Sequence, residues 1–360
     1  MLSSQDGTVI AYFCGFFGGK HEKVQCCHCG CYRSCGSGII SVLEERKFPV
    51  NELIPYASER SIGETVKFRN KEIDVIPMTV ESIQSKNIDI ALFSAGSAIA
   101  LEFAPVFAQK GVYVIDNSSA FRMNDSVPLI VPEVNGDLVK PDGSKIIANP
   151  NCSTIQLVYF LKVVNDLFKI KKVVVSTYQS VSGAGKKGID ELREQVTALF
   201  SGRSVAPAAF PQRIAFNLIP QIGYFHSDGY CEEEVKMINE SRKILSIPDL
   251  DFDVTTVRVP TFFSHAETVY VDLEKKCDVE LVRNKISEHP EMVVMDDFEQ
   301  LIYPTLVDSS GKNEVFVGRL RTGREDGKRL SAWIVADNVR KGAAYNAVRI
   351  AETLIGGMDE

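Results

Sequence analysis

Short apolar runs alternate with amphipathic segments through the first 150 residues of the chain. Four runs are apolar and short enough to form buried strands, at residues 52–57, 89–96, 111–116 and 145–148. Apolar positions recur at helical spacing over residues 37–46 and 98–109. Strands that alternate with helices in this way predict an α/β fold with a Rossmann-type, mainly parallel sheet.

The pattern changes after residue 150. Runs rich in β-branched residues predict strands at residues 171–178, 254–259, 268–273, 314–320 and 330–336, with helices at 188–200 and 232–243. This arrangement is typical of an α+β domain with a mixed sheet. We therefore expect a first domain over residues 37–150, completed by a C-terminal helix at 338–357, and a second domain over residues 151–337.

The composition limits the partners that the chain can have. With 360 residues, of which 45% are hydrophobic, it can bury a large core, and its formal net charge of −7 gives no general attraction to nucleic acid or to an anionic membrane. No apolar run is long enough to span a bilayer. Six of the nine cysteines lie among the first 35 residues, so we expect no disulfide framework in the rest of the chain and a cytoplasmic location.

The most informative stretch runs from Asn149 to Ile155 and contains one cysteine. Pro150 ends the preceding strand, and apolar residues at helical spacing follow Cys152, so Asn151 or Ser153 is expected to cap a helix there. A cysteine at a helix N-terminus meets unpaired N–H groups and the positive end of the helix dipole, which lower the pKa of its thiol. We interpret Cys152 as a nucleophile; a buried structural cysteine is the alternative.

Six stretches together resemble the aspartate-β-semialdehyde dehydrogenase family: Asn117 to Arg122, Asn149 to Ile155, Tyr178 to Gly185, Ala215 to Pro220, Arg258 to Pro260 with His265, and Asp337 to Ala344. The resemblance extends from Ser37 to Gly357. It implies an NADP-dependent, phosphorylating aldehyde oxidoreductase that interconverts L-aspartyl-4-phosphate and L-aspartate-4-semialdehyde. The implied setting is the biosynthesis of lysine, threonine, methionine and diaminopimelate, and the implied second domain is catalytic and forms a homodimer or homotetramer.

The resemblance assigns the reaction itself to three residues. It implies that Cys152 attacks the aldehyde and later carries a thioester, which inorganic phosphate splits. It implies that His265 is the general acid and base, and that the Gln179 amide orients the substrate without adding charge. A structural histidine is the alternative for His265.

Substrate and phosphate binding are assigned to charged residues and one amide. Arg258 would pair with the substrate carboxylate, Glu233 would bind its ammonium group, and Arg122 with Lys236 would bind phosphate. Asn151 completes the implied substrate and phosphate site. An ordinary helical ion pair is the alternative for Glu233 and Lys236.

An arginine flanked by hydroxyl groups follows the predicted second strand, in the turn Ser58, Glu59, Arg60 and Ser61. An NAD enzyme usually has a carboxylate at this position, whereas an arginine suits the 2′-phosphate of NADP. A solvated loop arginine is the alternative. The other implied cofactor-binding residues are Gly36, Ser94, Gly96, Ser182, Gly183 and Asn338, and no metal site is predicted in the body of the chain.

Two other functions compete with this assignment. An N-acetyl-γ-glutamyl-phosphate reductase uses the same thioester chemistry, but it is expected to have glycine rather than Asn151 before the cysteine. A non-catalytic homologue with impaired NADP binding is a different class. Binding of NADP, measured by fluorescence or thermal shift, would separate this class from the enzymes.

Residues 1–36 depart from the family pattern. A metal site, a disordered extension and an out-of-frame translation are the three interpretations, and the third is favoured. If each codon is started one nucleotide later, His21 to Gly36 permits a start methionine, a strand and a G-x-x-G-x-x-G turn. The frameshift interpretation predicts that the chain as it stands lacks the first strand of its sheet and binds NADP poorly, since Arg33 replaces the middle glycine.

Overall fold

The computed structural model describes the backbone of residues 9–13, 24–29 and 34–356, and the side chains of residues 38–356. The chain divides into two compact units. The first unit contains the described residues up to Pro150 and those from Ala343 onward, and the second unit contains Asn151–Gly342.

Fifteen strands and ten α-helices are defined within the described ranges. The strands are β1 Val9–Phe13, β2 Val24–Cys29, β3 Val50–Ala57, β4 Thr65–Phe68, β5 Lys71–Asp74, β6 Ile76–Pro77, β7 Ile90–Phe93, β8 Tyr113–Asp116, β9 Ile146–Ala148, β10 Ile170–Gln179, β11 Asp251–Arg258, β12 His265–Leu273, β13 Met292–Val294, β14 Val315–Thr322 and β15 Arg329–Ala336. The helices are α1 Ser34–Glu45, α2 Val80–Ser85, α3 Ser97–Gln109, α4 Pro132–Asn135, α5 Cys152–Phe168, α6 Lys186–Phe200, α7 Glu232–Leu245, α8 Val279–Ser287, α9 Leu306–Ser309 and α10 Asn346–Gly356.

The first unit is built on a seven-stranded sheet in the order β6-β3-β1-β2-β7-β8-β9. All pairings are parallel except those of β1, which runs antiparallel to its neighbours. Every residue of β7 is buried, as expected for a central strand covered on both faces. The predicted mainly parallel sheet is confirmed.

The structure has a strand where the frameshift interpretation predicted none. Strand β2 pairs parallel with β7 from Cys26 opposite Ile90 to Cys29 opposite Phe93. The prediction that the sheet lacks this strand is therefore wrong. Strand β2 forms through main-chain hydrogen bonds to β7, although its sequence is not a continuous apolar run. Gly36 lies in helix α1. The metal-site interpretation of the cysteines and the predicted effect of Arg33 lie outside the described residues.

The C-terminal helix differs from its prediction at its start. The predicted helix of residues 338–357 begins as a π-helix over Arg340–Tyr345 and continues as the α-helix α10 from Asn346. Asp337 caps the start of this segment, since its carboxylate accepts the main-chain N–H groups of Val339 and Arg340 at 2.8 and 3.0 Å.

Helix α10 is part of the core of the first unit. Glu352 forms a bidentate ion pair with Arg46, the residue that follows α1. The Asn346 amide donates to the Ile130 carbonyl at 3.0 Å and to Asn149 Oδ1 at 2.7 Å. These bonds join the helix to the loops before and after β9.

The second unit has a six-stranded sheet in the order β11-β10-β12-β15-β14-β13. Pairs β10–β11 and β13–β14 are parallel and the others antiparallel, so the predicted mixed sheet is confirmed. Helix α5 contacts β10, β12 and β15 as well as α7 and α8. Most of its side chains are buried, which fixes its N-terminus relative to the ends of these strands.

Among the helices that the structure describes, none combines the length and the apolar character that a bilayer crossing requires.

Candidate active site

Helix α5 begins at Cys152 and is capped by Asn151, as predicted. The Asn151 Oδ1 atom accepts the main-chain N–H groups of Ser153 and Thr154 at 2.9 and 3.3 Å. Cys152 is half-buried, whereas Asn151 and Ser153 are buried. The nucleophile candidate is therefore the first residue of a capped helix, in the position that stabilises a thiolate.

Two carboxylates of helix α7 bind the residue that caps α5. Glu233 Oε1 accepts the Asn151 side-chain Nδ2–H at 2.9 Å, and Glu240 Oε2 accepts the Asn151 main-chain N–H at 2.7 Å. Both glutamates are buried, with relative exposures of 7% and 1%. Glu233 was predicted at the site, but Glu240 was missed, although a spacing of seven residues places both on one face of a helix.

A glycine lies directly behind the nucleophile. A Cβ atom added to Gly342 would lie 2.6 Å from the Cys152 Cβ and 3.0 Å from its Cα, so no larger residue fits here. Gly342 N–H donates to the Asp337 carbonyl at 3.1 Å. This close approach was missed as well; the Lys-Gly-Ala-Ala sequence was its only signal.

Gln179, Arg258 and His265 lie side by side at one end of the mixed sheet. Gln179 is in register with Arg258 across the parallel pair β10–β11 and with His265 across the antiparallel pair β10–β12. All three side chains are buried. Gln156, one turn into α5 from Cys152, donates to the His265 carbonyl at 3.5 Å, so the helix and the strand ends belong to one site.

The bonding of His265 fixes the form of its ring. The Ser180 main-chain N–H donates to Nδ1 at 3.1 Å, and the Ser180 hydroxyl lies 3.2 Å from the same atom. Burial, with the nearby Arg258 charge, lowers the pKa of His265 to about 3. A neutral ring whose Nδ1 accepts carries its proton on Nε2, and no described group bonds that buried atom. The ring is thus arranged to donate a hydrogen bond from Nε2.

Arg258 is a buried cation at the end of β11. Its Nη1 donates to the Ser180 carbonyl at 2.7 Å. Burial lowers the pKa of Arg258, while the negative charges of Glu233 and Cys152 act in the opposite direction. A Cβ on Gly183 would approach Arg258 Nη1 to 2.7 Å, so only glycine leaves this guanidinium in place.

Two predicted cofactor residues are joined in one hydrogen-bond network. Asn338 Oδ1 accepts from the hydroxyls of Ser180 and Ser182 at 3.3 and 3.0 Å and from the Ser264 main-chain N–H at 3.0 Å. Asn338 and Ser182 are both buried. The network fixes the Asn338 amide, so its Nδ2–H₂ group is the part that remains for a ligand.

Lys236 lies on helix α7 with a partly exposed side chain, and it pairs with Glu232 at 2.6 Å. This is an i,i+4 pair on the solvent side of α7, with each side chain about a third exposed or less. The predicted pairing partner Glu233 is instead bound to Asn151. Glu233 and Lys236 therefore have different partners and do not pair with each other, although Lys236 does form an ordinary helical ion pair, with Glu232.

In the first unit, the predicted residues lie at the carboxyl ends of parallel strands. Ser58 precedes a 3₁₀ turn, Glu59–Ser61, that directly follows β3 and contains the exposed Arg60. Ser94 follows β7, and Gly96, at φ 93°, caps α3. Dinucleotides bind at this edge of a parallel sheet.

The end of β8 has polar groups that fit a ligand. Arg122 is buried and its Nη2 donates to the Asn117 carbonyl at 2.8 Å. The side-chain Nδ2 and Oδ1 atoms of Asn117 are buried, and no described group bonds either of them. Such orphaned amide atoms at the carboxyl edge suit a polar cofactor or substrate group.

Two family models match the chain. One, described as the NAD binding domain of semialdehyde dehydrogenase, matches residues 30–141, and the other, described as its dimerisation domain, matches residues 161–341. An aspartate-semialdehyde dehydrogenase of Aquifex aeolicus is 50% identical over 322 residues, which are 89% of this chain and 94% of that protein. The chain belongs to the aspartate-semialdehyde dehydrogenase family.

Solved structures agree with this membership. Aspartate semialdehyde dehydrogenase II of Vibrio cholerae, complexed with ASA, has a TM-score of 0.86 and 43% identity, covering 91% of this chain and 96% of that one. The enzyme of Candida albicans with NADP has a TM-score of 0.68 over 91% of this chain and 97% of that one; at 22% identity it shows the fold alone.

Membership of the aspartate-semialdehyde dehydrogenase family decides between the enzymatic alternatives. Relatives up to 50% identical are aspartate-semialdehyde dehydrogenases, so the chain is an aldehyde oxidoreductase of that family rather than an N-acetyl-γ-glutamyl-phosphate reductase. It has an NAD(P)-binding domain and a dimerisation domain.

Proposed function

We propose that the protein interconverts L-aspartyl-4-phosphate and L-aspartate-4-semialdehyde, with NADP and inorganic phosphate, through a thioester on Cys152. The observation that carries this proposal is the placement of a capped helix-terminal cysteine beside the row of Gln179, Arg258 and His265. A nucleophile, a hydrogen-bond donor and a carboxylate-binding cation are the groups that the reaction requires.

In the oxidative direction, the Cys152 thiolate adds to the aldehyde carbon, and the carbonyl oxygen becomes an oxyanion. His265 Nε2–H is the donor that stabilises this oxyanion. This carbon then loses its hydride, for which the nicotinamide would be the acceptor when bound; the C=O bond re-forms, and Cys152 carries the thioester. A phosphate oxygen then attacks the thioester carbon, the C–S bond breaks, and the thiolate is restored.

This scheme revises part of the predicted role of His265. General acid and base catalysis, the role that the family resemblance implies for His265, includes taking the thiol proton as well as stabilising the thiohemiacetal oxygen. Since Nδ1 accepts the Ser180 N–H, a second ring proton would place two donors against each other. We therefore assign His265 the stabilising role, and the thiolate is favoured by the helix terminus and the Arg258 charge.

Substrate recognition is assigned to residues that already lie around Cys152. Arg258 would bind the α-carboxylate through its guanidinium fork, and Glu233 would bind the ammonium group with the oxygen that Asn151 does not use. Gln179 would orient the reacting end of the substrate. Lys236 and Arg122 are the cations that we assign to phosphate, with Asn151 as a further ligand.

NADP is proposed as the cofactor because Ser58, Arg60 and Ser61, in the turn after β3, can bind its 2′-phosphate. Glu59 is the one carboxylate in this turn. Further cofactor contacts are assigned to six residues at the ends of strands and in α1. They are Gly36 in α1, Ser94 and Gly96 after β7, Ser182 and Gly183 after β10, and Asn338 after β15. The role proposed for this activity is in lysine, threonine, methionine and diaminopimelate biosynthesis, in the cytoplasm.

A homodimer or homotetramer is proposed from the surface of the second unit. Phe200, Phe216 and Leu218 have relative exposures of 81%, 64% and 58%, and the Phe200 and Phe216 rings pack edge to face at 6.0 Å. Large apolar side chains that cluster at a surface mark contact sites. Sedimentation at several concentrations would show the stoichiometry.

The test of the proposed function is phosphate-dependent reduction of NADP by aspartate semialdehyde. The wild-type protein is expected to form NADPH continuously only when phosphate is present, because without it the thioester on Cys152 is not split, and Cys152→Ala is expected to fold normally and lose activity. Retention of a tenth of the rate by that variant, which is about 1.4 kcal/mol of barrier, would contradict the nucleophile assignment. A wild-type protein that folds normally but does not bind NADP would instead support the alternative of a non-catalytic homologue.

A further inference from the structure

The cap of the catalytic helix lacks a local partner for one of its N–H groups. In a capping box, the cap side chain accepts an N–H from the first turn, and the side chain three residues on accepts the cap's own N–H. Asn151 makes the first of these bonds, but the residue three positions on is Thr154. The second bond is supplied by Glu240 Oε2 at 2.7 Å, from 89 residues away in the sequence.

Other helices of the chain close this bond locally. Helix α2 uses Ser82 for the Thr79 cap, and α9 uses Asp308 for the Thr305 cap. In α7, Glu234 accepts the N–H of the Cys231 cap at 2.7 Å. The described part of the chain therefore uses local closure in these three helices and long-range closure at the helix that carries Cys152.

Glu240 is buried to 1% relative exposure, where an ionised carboxylate is costly unless hydrogen bonds compensate it. It lies two helical turns from Glu233, and the two carboxylates hold the main chain and the side chain of Asn151 respectively. Asn151 is thus fixed at both groups, and the adjacent Cys152 is fixed with it.

We propose that Glu240 is a positioning residue for the nucleophile, completing the cap of α5 from α7. The proposal rests on the proposed function for its kinetic consequences. Glu240 touches neither thiol nor substrate in this role. It holds the Asn151 main chain so that Oδ1 stays on the Ser153 and Thr154 N–H groups and the thiol stays over the sheet end.

Three variants test the role of the oxygen. Glu240→Ala removes the acceptor and is expected to lower kcat by about 100-fold, the effect of a small misplacement of a reacting group. Glu240→Gln keeps an acceptor oxygen and is expected to lose no more than about tenfold. Glu240→Asp keeps the charge, but its shorter side chain moves the carboxylate away from the Asn151 N–H, so its kcat should resemble that of Glu240→Ala. It serves as the substitute variant if Glu240→Ala does not fold. The KM for NADP should not change in any of them.

Asp296→Asn is the matched control. Asp296 is a second carboxylate with main-chain partners in the same unit, accepting the N–H groups of Arg319 and Leu320 at 2.7 and 2.9 Å, and it contacts none of the residues assigned to the site. We expect Glu240→Ala and Asp296→Asn both to lower the melting temperature, because each removes a buried hydrogen-bonded charge, but Asp296→Asn should keep kcat within about twofold, because the two sites are independent.

Hydrogen exchange provides a readout that does not need activity. The Ser153 and Thr154 amides should exchange faster in Glu240→Ala than in wild type, and at the wild-type rate in Glu240→Gln and Asp296→Asn. An unchanged kcat and unchanged exchange in Glu240→Ala would overturn the proposal, as would equal losses in the Gln and Ala variants. An inactive wild type would reject the proposed function, and the exchange rates would still decide the role of Glu240.

Discussion

His265 lies in a setting that favours one protonation state of its imidazole. Its pKa is lowered to about 3 by burial and by Arg258, and the Ser180 N–H occupies Nδ1. A ring held neutral in this way can donate from Nε2 throughout the physiological range, without a fraction lost to protonation. The activity should therefore be insensitive to the charge state of this histidine near neutral pH.

A stability measurement tests the lowered pKa. In the unfolded chain the ring has a pKa of about 6.5, so between that value and about 3 the unfolded state binds more protons than the folded state. The contribution of His265 to the free energy of unfolding is therefore present above about pH 6.5 and is lost as the pH falls towards 3.

The variant His265→Asn isolates this contribution. Glu267, two residues along β12, has its pKa raised by burial, with Gln156 acting in the opposite direction, so its contribution has the opposite pH dependence. Urea unfolding of wild type and variant should give a difference that shrinks as the pH falls below 6.5. A pH-independent difference would contradict the lowered pKa.

Arg258 is expected to discriminate by shape as well as by charge. Arg258→Lys keeps the cation but loses the planar fork that also bonds the Ser180 carbonyl. Substrate binding should weaken by about 1–3 kcal/mol, while NADP affinity stays the same. Steady-state kinetics with the semialdehyde measure the first effect and cofactor titration the second; an unaltered substrate KM would argue against the assignment.

At the scale of elements, periodicity predicted the strand and helix types well because both sheets have buried faces. Residues 171–178 and 268–273 were predicted as strands and lie in β10 and β12. Periodicity could not indicate that their ends, in register, bring Gln179 beside His265. Pairing depends on contacts between residues far apart in sequence, which no local pattern contains.

The same limit explains the site residues that were missed. Glu240 acts through a bond to a residue 89 positions away, and Gly342 through contact with Cys152, so neither has a local signal. The helix predicted from Asn338 begins as a π-helix at Arg340, a hydrogen-bond pattern that the spacing of apolar residues does not indicate. By contrast, the Asn151 cap was predictable, since its partners lie two and three residues away.

The turn after β3 should set the preference between the two nicotinamide cofactors. Arg60→Ala removes the exposed cation proposed to bind the 2′-phosphate, so the ratio of kcat/KM for NADP to that for NAD should fall. Lys67→Ala, which removes an exposed cation from β4, is the control and should leave that ratio unchanged. Equal selectivity in wild type and Arg60→Ala would exclude the role of Arg60.

At the scale of the whole molecule, the N-terminal segment remains the least expected feature. The family model for the NAD binding domain begins to match at residue 30, after strand β2 and before helix α1. The frameshift interpretation thus stays a prediction about the nucleotide sequence. The frameshift interpretation concerns the predicted glycine-rich turn, whose backbone N–H groups would bind the pyrophosphate of the cofactor.

A direct comparison of two chains tests that interpretation. One chain has the sequence as it stands, and the other replaces residues 1–36 by the sequence read one nucleotide later from His21. The second should bind NADP more tightly and melt at a higher temperature, because its glycines permit close approach of the ligand. The frameshift interpretation would be rejected if the two chains bound NADP with equal affinity and the DNA encoded residues 1–36 as they stand.

Because α10 is synthesised last of the described helices but belongs to the first unit, the two units are completed at different times during translation. The second unit is continuous from Asn151 to Gly342, so all of its residues have left the ribosome before α10 has. The first unit, whose sheet is synthesised earliest, must wait for Ile350 and Leu354, which are fully buried within it. Domains commonly mature in the order of their synthesis. Here the order is reversed: a released chain truncated after residue 342 would contain every residue of the second unit, whereas its first unit would lack α10 and expose the apolar surface that α10 covers.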